Sequence, residues 1–201
     1  MVESGIFYSA VVDPLLATLR EKVAQAIPPG QKIIDIACGT GSQAFQLAEK
    51  SAMVTGIDLS KSMISYAEKK AVKQQIHNVI FSVNDARNLE TIENQSFDYG
   101  LMSMALHQFD PLTYPIILAE LKRIAVRLLF VDYNVPLPFN FTGIGSRVAE
   151  FLAGRSHFRN FRKYYNLGGL PAILPKNEIS IESTQSIAGG TFLMAISNTS
   201  V

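Results

Sequence analysis

The sequence has little cysteine, no excess of either charge and no long apolar run. Cys38 is the single cysteine among 201 residues, which excludes an intramolecular disulfide framework and a multi-cysteine zinc site. The 18 Lys and Arg residues against 17 Asp and Glu argue against a general nucleic-acid binder. No apolar stretch approaches the roughly 18 residues of a membrane span, and acidic Glu3 precedes every basic residue, unlike in a signal peptide. We therefore expect a cytoplasmic protein without stable membrane insertion.

Apolar residues make up 48% of the chain, enough for the core of one domain over residues 1–201. Short apolar runs alternate with amphipathic stretches. Strands are predicted at 32–37, 52–58, 79–83, 97–104 and 127–132, and helices at 11–27, 41–50, 60–74 and 111–125. This alternation predicts βαβ units, with a parallel sheet that has helices on both faces.

The pattern changes after residue 132. We expect a long loop over 134–145, a short helix at about 146–153, and then a segment rich in Arg, Phe and Tyr. Two late runs, 178–183 and 191–196, flank two glycines and predict a terminal hairpin with antiparallel strands. The chain accordingly divides into an N-terminal cap (1–29), a cofactor-binding core (30–132), a substrate-side lid (133–177) and the hairpin (178–201).

The strongest local pattern runs from Asp35 to Gly41, directly after one predicted strand and before a helix. Gly39 and Gly41 permit a tight turn and a close approach of a ligand to the backbone. The run from Gly39 to Ala44 also satisfies the G-x-G-x-x-G/A pattern of dinucleotide-binding enzymes. A nicotinamide-dependent oxidoreductase is therefore one interpretation of these glycines.

Acidic residues at the ends of the first three strands favour a different cofactor. Asp35 would lie close to a bound pyrophosphate, and like charges about 4 Å apart repel by roughly 1 kcal/mol in water and about 4 kcal/mol at an effective dielectric constant of 20. The sulfonium and ammonium groups of S-adenosylmethionine would instead be attracted. Asp58 closes the second run, where a carboxylate accepts hydrogen bonds from ribose hydroxyls. Asp85 follows the third run, beside the adenine position.

These residues carry a resemblance to a known family. The segments IIDIACGTG, VTGIDLS, FSVNDA and FDYGLMSMALHQF are similar to the successive motifs of class I S-adenosylmethionine-dependent methyltransferases, especially those of ubiquinone and menaquinone biosynthesis. The resemblance extends over about residues 30–132. It implies a single α/β, Rossmann-like three-layer domain with a seven-stranded, mostly parallel sheet of order 3-2-1-4-5-7-6, the last strand antiparallel. It also implies methyl transfer from S-adenosylmethionine to a small molecule, quinone-like or lipid-like.

The resemblance also assigns cofactor-binding positions. They are Tyr8, Asp35, Ala37, Gly39, Gly41, Asp58, Leu59, Met63, Asn84, Asp85 and Ala86. Tyr8 corresponds to a tyrosine that covers the cofactor, Met63 to a position that packs on adenine, and Ala86 to a backbone N–H that meets the adenine ring. The chain departs from the family in one turn: the Lys-Pro-Gly-Gly sequence common before the fifth strand is absent here.

The acceptor side offers weaker signals. His107 ends the fourth run and is the candidate catalytic residue, as a general base or by orienting an acceptor hydroxyl; a packing or capping histidine is the alternative. Tyr133 and Asn134 leave the fifth strand, either to line the substrate pocket or to make ordinary loop hydrogen bonds. His157 and Arg159 are the other substrate candidates.

A basic segment follows. Residues 147–163 hold five basic side chains against the single acid Glu150, with aromatic residues interleaved. One interpretation is a lid that recognises an anionic or aromatic acceptor, and another is a patch that contacts a membrane surface. The alternative is a helix with a solvated basic face whose aromatic residues pack inward. Because this cluster is short and the overall charge is balanced, we expect no nucleic-acid partner.

Taken together, the sequence predicts a methyltransferase, monomeric or homodimeric, that needs no metal. Its donor is already activated, so the protein would mainly align the acceptor and exclude water. Two alternatives stay open: a non-catalytic module that binds the same cofactor, and an NAD(P)-dependent oxidoreductase.

Overall fold

Seven strands form one mixed sheet in the computed structural model, which describes residues 16–139, Gly143, Glu150 and residues 154–198. The strands are β1 (Lys32–Ile36), β2 (Met53–Asp58), β3 (Val79–Val83), β4 (Phe97–Ser103), β5 (Ala125–Tyr133), β6 (Ile181–Ile187) and β7 (Phe192–Asn198). Their order across the sheet is β3-β2-β1-β4-β5-β7-β6. The first five strands are parallel, and β7 pairs antiparallel with β5 and β6. The predicted fold and strand order are confirmed.

Helices cover both faces of the sheet. They are α1 (Ala17–Ala26), α2 (Ser42–Ala48), α3 (Lys61–Gln74), α4 (Tyr114–Ile124), α5 (Arg155–Asn166) and α6 (Leu170–Lys176), with 3₁₀ turns at Leu106–Gln108 and Pro111–Thr113. Because the sheet is covered on both sides, β1 is buried at Ile33, Ile34 and Ile36 rather than at alternate residues. None of the helices in the described part of the chain is long and apolar enough to cross a membrane.

The predicted elements between residues 30 and 133 agree with the structure to within a few residues. Ser60 caps α3, since its side-chain oxygen accepts a hydrogen bond from the Met63 N–H at 3.4 Å. The helix predicted over 111–125 is shorter, because a 3₁₀ turn precedes α4 and Ala125 already pairs with Phe97 as the first residue of β5. Tyr8, residues 11–15 of the first predicted helix and most of 146–153 lie outside the described residues.

The terminal hairpin is present but starts later than predicted. The first strand was expected at 178–183 and is β6, Ile181–Ile187. Residues 182–186 of this edge strand are polar and exposed, so no apolar run marks them in the sequence. Pairing with β7 fixes the strand instead. The turn uses left-handed backbone at Ala188, Gly189 and Gly190.

Parallel strands place their carboxyl ends along one edge of the sheet. The ends of β1, β2 and β3 therefore bring Asp35, Asp58 and Asp85 to the same edge, and the ends of β4 and β5 continue it toward His107 and Tyr133. In open α/β sheets this edge forms the ligand-binding crevice.

Candidate functional site

The glycine turn after β1 combines one open and one tightly packed position. Gly39 and Gly41 have φ angles of +55° and +75°, which a residue with a Cβ adopts only with strain. A Cβ added to Gly39 would meet no described residue within 4 Å, which leaves room for a ligand to approach its backbone. A Cβ added to Gly41 would lie 2.6 Å from the Phe81 ring. Gly39 thus leaves room for a ligand, whereas Gly41 lets the turn pack on β3.

Ala37 takes the same left-handed conformation without being a glycine. Its φ is +57°, and it lies in the predicted cofactor-binding turn two residues after Asp35. For an L-residue with a side chain, left-handed helical backbone costs roughly 1–2 kcal/mol. The turn therefore stores a small strain at the point where the chain leaves β1.

Asp35 is a buried carboxylate without a complete set of partners. Its side chain is 2% exposed, and its Oδ2 accepts no hydrogen bond from any described residue. Burial raises the pKa of Asp35 to about 8, and the nearby charge of Asp58 adds to the shift. Near neutral pH the side chain therefore keeps its proton. An anionic ligand would favour this neutral form, whereas a cationic ligand would favour the carboxylate and supply its missing partner.

Backbone N–H groups hold the Asp58 carboxylate in place at the end of β2. The Gly39 N–H donates to Oδ2 at 2.9 Å, and the Ser60 N–H donates to Oδ1 at 2.8 Å. A carboxylate has about four acceptor positions, so each oxygen keeps capacity for one further donor. Asp58 can therefore accept hydrogen bonds from two vicinal hydroxyls without giving up either backbone partner.

Asp85 has a partner that the sequence reasoning missed. The Arg87 guanidinium donates from Nε to Oδ1 at 2.9 Å and also pairs with Oδ2, and the Arg87 backbone N–H donates to Oδ1 at 3.0 Å. The side-chain hydrogen bonds from Arg87 lower the pKa of Asp85. An adenine amino group would share this carboxylate with Arg87. In the sequence, this ion pair is indicated by the two-residue spacing between Asp85 and Arg87.

Arg123 supports the loop that follows Asp85, which the sequence also did not reveal. Its guanidinium donates to the carbonyls of Leu89 at 2.9 Å and Ile92 at 2.7 Å. It also donates to Glu120 at 2.9 Å, and Glu120 accepts the Leu89 N–H at 2.9 Å. Helix α4 thereby holds the chain between β3 and β4 in place.

The other predicted cofactor positions lie along the same edge. Leu59 follows β2 and is 66% exposed, while Met63 is half-buried in the first turn of α3. Asn84 donates its backbone N–H to the Asp58 carbonyl at 3.2 Å, which ties the end of β3 to the end of β2. Ala86 is buried at 8% exposure. Their binding roles stay predictions.

On the acceptor side, His107 is buried and paired. Its side chain is 1% exposed, and Nδ1 lies 2.6 Å from Asp132 Oδ1. Nε2 lies 3.4 Å from Glu150 Oε1, which also accepts the Tyr133 hydroxyl at 2.9 Å. Burial disfavours the charged imidazole, but the two carboxylates outweigh it and raise the pKa of His107 to about 10. The catalytic role of His107 stays a prediction.

The remaining acceptor-side candidates have mixed surroundings. Asn134 donates its backbone N–H to the Thr191 carbonyl at 2.9 Å and its Nδ2 to the Gly190 carbonyl at 3.0 Å, which is loop bonding to the hairpin. Tyr133 is buried against His107. His157 and Arg159 are exposed on α5.

Helix α5 contains most of the described residues of the basic segment. Phe161 and Tyr164 are buried on one side, and Arg155, Arg159 and Arg162 are exposed. This is the arrangement of a helix with a solvated basic face and inward aromatic residues. No cluster of three or more His, Cys, Asp or Glu side chains suited to a metal ion occurs among the described residues.

Comparison with known proteins gives one family and several relatives. Residues 33–126 match the family described as Methyltransferase domain. The putative methyltransferase YqeM of Bacillus subtilis is 38% identical over 73 residues, which are 36% of this chain and 29% of the relative. The 27-O-demethylrifamycin SV methyltransferase of Amycolatopsis mediterranei is 30% identical over 149 residues, 71% of this chain and 54% of the relative.

A third relative matches a stretch of similar length. The ubiquinone biosynthesis O-methyltransferase of Xanthomonas campestris pv. campestris is 28% identical over 147 residues, 70% of this chain and 60% of the relative. The matched stretches thus span less than two thirds of the length of each of these three relatives.

Two solved structures share the fold along nearly the whole chain. A SAM-dependent methyltransferase from Aquifex aeolicus superposes with a TM-score of 0.71 at 19% identity, covering 96% of this chain and 97% of that one. The PH0226 protein from Pyrococcus horikoshii gives a TM-score of 0.71 at 20% identity, covering 93% and 90%. The strand order and these superpositions define the fold, and residues 33–126 are similar to the Methyltransferase domain family. The predicted resemblance is confirmed.

Proposed function

We propose that the protein binds S-adenosylmethionine in the crevice formed by Asp35, Gly39 and Asp58 and transfers its methyl group to a small molecule. The observation that carries the proposal is the buried Asp35 side chain, whose Oδ2 has no partner among the described residues, beside a turn that these residues leave open at Gly39. A positively charged ligand would favour the ionised form of Asp35 beside Asp58, and the two carboxylates would then disfavour a diphosphate.

Each residue of the crevice has a defined part in this proposal. S-adenosylmethionine, when bound, supplies an activated methyl group on a sulfonium. Asp35 pairs with the positive charge of the methionine portion, and Asp58 accepts hydrogen bonds from the ribose hydroxyls. Met63 and the Ala86 N–H contact the adenine, with Asp85 shared between its amino group and Arg87. The strand ends then hold the donor rigidly while the acceptor is aligned for in-line attack.

The acceptor we propose is quinone-like or lipid-like. Support comes from the names of two relatives, a ubiquinone biosynthesis O-methyltransferase and a 27-O-demethylrifamycin SV methyltransferase, both of which denote methylation of an oxygen on a small molecule. We also propose that the protein is cytoplasmic and that it is a monomer or a homodimer.

A transfer assay with a donor labelled on the methyl carbon tests the proposal. Purified protein is incubated with the donor and a panel of hydroxylated or demethylated quinone head groups, and extracted products are counted. We expect label in at least one product, and less of it with Asp58→Ala when the donor concentration is below saturation. Binding of the donor without transfer to any of a broad panel of oxygen, nitrogen and carbon acceptors would favour the non-catalytic module.

A further inference from the structure

Both ring nitrogens of the buried His107 face carboxylate oxygens. Nδ1 lies 2.6 Å from Asp132 Oδ1, within hydrogen-bond distance. Nε2 lies 3.4 Å from Glu150 Oε1, which is within ion-pair distance, but it makes no hydrogen bond to any described residue. Two carboxylates at these distances from a buried ring favour the protonated imidazole, because its positive charge is attracted to both. The geometry is therefore that of an imidazolium cation between two anions.

The two carboxylates already act as acceptors toward neutral donors. Asp132 accepts the backbone N–H of His107 at 3.1 Å and that of Tyr133 at 2.7 Å. Glu150 accepts the Tyr133 hydroxyl at 2.9 Å. Because the site is buried, loss of the imidazolium charge would leave two carboxylates without a cation between them.

This cluster connects the strand ends to the helices that follow. The rings of Tyr133, Phe161 and Tyr164 surround the imidazole, with centroids at 4.9, 6.3 and 6.3 Å. The Tyr164 hydroxyl donates to the Tyr133 carbonyl at 2.9 Å and accepts the N–H of Leu170, the first residue of α6, at 3.2 Å. The side chains around His107 thus connect strand β5 with helices α5 and α6.

We propose that His107 is a positioning residue and not a catalytic base: as a cation between Asp132 and Glu150, it fixes Tyr133 and helix α5 beside the crevice. A general base needs a free nitrogen lone pair, and an imidazolium cation has none. The inference rests on the proposed function only in treating this side of the crevice as the acceptor side. It predicts that acceptor alignment depends on the charge of His107 and that donor binding does not.

Several titratable groups face this cluster from the surrounding elements. Asp132 and Tyr133 belong to β5, Tyr164 belongs to α5, and Glu150 contacts the imidazole edge. Tyr114 on α4 interacts electrostatically with Asp132, and His157 interacts electrostatically with Glu150. The carboxylates are the anions that touch the ring, and they set its protonation state.

Side-chain nitrogen NMR of the full chain tests the inference without any ligand. The protein has 3 histidines, and His77 and His157 are exposed, so they serve as internal controls. The titration runs from about pH 5.5 to about pH 9, a range that includes the ordinary pKa of about 6.5 of a histidine side chain. We expect both nitrogens of His107 to stay protonated throughout. Loss of a proton from His107 within this range would overturn the inference.

A matched pair of variants tests the contact to Glu150. Glu150→Gln keeps the side-chain shape and removes one anion, so it should lower the pKa of His107 and speed amide exchange in α5, while S-adenosylhomocysteine affinity changes less than about twofold. Glu178→Gln, at a side chain that is 89% exposed, should change none of these quantities. An unchanged His107 titration in Glu150→Gln would contradict the inference. Failure of S-adenosylhomocysteine to bind the unmodified protein would instead contradict the proposed function.

Discussion

The Gly39 backbone N–H donates to Asp58 Oδ2 at 2.9 Å, so the turn after β1 is fixed directly to the acid at the end of β2. Two motifs that lie on different strands thereby form one rigid unit. The Ser60 N–H completes the arrangement by donating to the other oxygen of the same carboxylate. A ribose bound at Asp58 would consequently lie next to the part of the ligand that approaches the Gly39 backbone.

Replacing Asp58 should weaken cofactor binding. Asp58→Ala leaves two ribose hydroxyls without acceptors, and we expect a loss of about 1–3 kcal/mol in S-adenosylhomocysteine affinity by calorimetry. Asp98→Asn is the matched control, because Asp98 also accepts a backbone N–H from the neighbouring strand, that of Lys32 at 2.7 Å, but at the opposite end of β1. Equal losses in both variants would show that Asp58 acts only through general stability.

Replacing Asp35 should stabilise the protein without ligand. The pKa of Asp35 is about 8 in the folded protein and 3.8 in the unfolded chain. Between these pH values the unfolded chain releases a proton that the folded protein keeps, so the free energy of unfolding falls as the pH rises. The loss is absent below pH 3.8 and complete above pH 8. Asp35→Asn removes this cost, and we expect a gain of the order of a few kcal/mol near pH 8 that shrinks toward pH 4. Thermal unfolding at both pH values measures it. Destabilisation at the higher pH would mean that the carboxylate has a partner in the folded state.

The two glycines of the turn should respond differently to alanine. Both substitutions add backbone strain of about 1–2 kcal/mol, because both φ angles are positive. Gly41→Ala also places a Cβ 2.6 Å from the Phe81 ring, and this overpacking costs about 1–3 kcal/mol of folding stability in addition. At Gly39 the added Cβ meets no described residue within 4 Å, so the strain is the whole cost. Gly39→Ala should nevertheless lower the S-adenosylhomocysteine affinity measured by calorimetry about tenfold or more, because the added methyl group fills the space through which the ligand reaches the backbone. Wild-type affinity in Gly39→Ala would remove this glycine from the site.

Removing Arg123 should loosen the loop between β3 and β4. Arg123→Gln loses hydrogen bonds to the carbonyls of Leu89 and Ile92, and we expect about 1–3 kcal/mol of lost stability with faster amide exchange at residues 88–93. Lys122→Gln is the neighbouring control on α4. Its partner Glu178 is 89% exposed, so the loss should be at most about 1 kcal/mol. Exchange at residues 88–93 that is the same in both variants would contradict the role given to Arg123.

The parts of the fold that the sequence predicts are those that local patterns encode. The apolar runs of β1 and β2 end in Asp35 and Asp58, and the parallel arrangement of such runs places the two acids at one edge. The cap at Ser60 is local as well, because donor and acceptor lie within one helical turn. These features follow from residues adjacent in the chain.

Other features depend on contacts between distant segments. His107 ends a strand-like run, but Asp132 and Glu150, which surround it, come from later parts of the chain. Neither partner can be assigned from periodicity, because their meeting depends on how β5 and the following segment pack. The start of β6 was missed for a related reason: its exposed polar residues become a strand only by pairing with β7.

Calorimetric titration of one protein sample with S-adenosylmethionine, NAD and NADP tests the central claim most directly. In a titration above pH 8, where Asp35 is ionised, we expect measurable binding of S-adenosylmethionine that weakens in Asp58→Ala, and no binding of either dinucleotide, because Asp35 and Asp58 together repel a diphosphate. Tight binding of NAD or NADP by a sample that does not bind S-adenosylmethionine would contradict it.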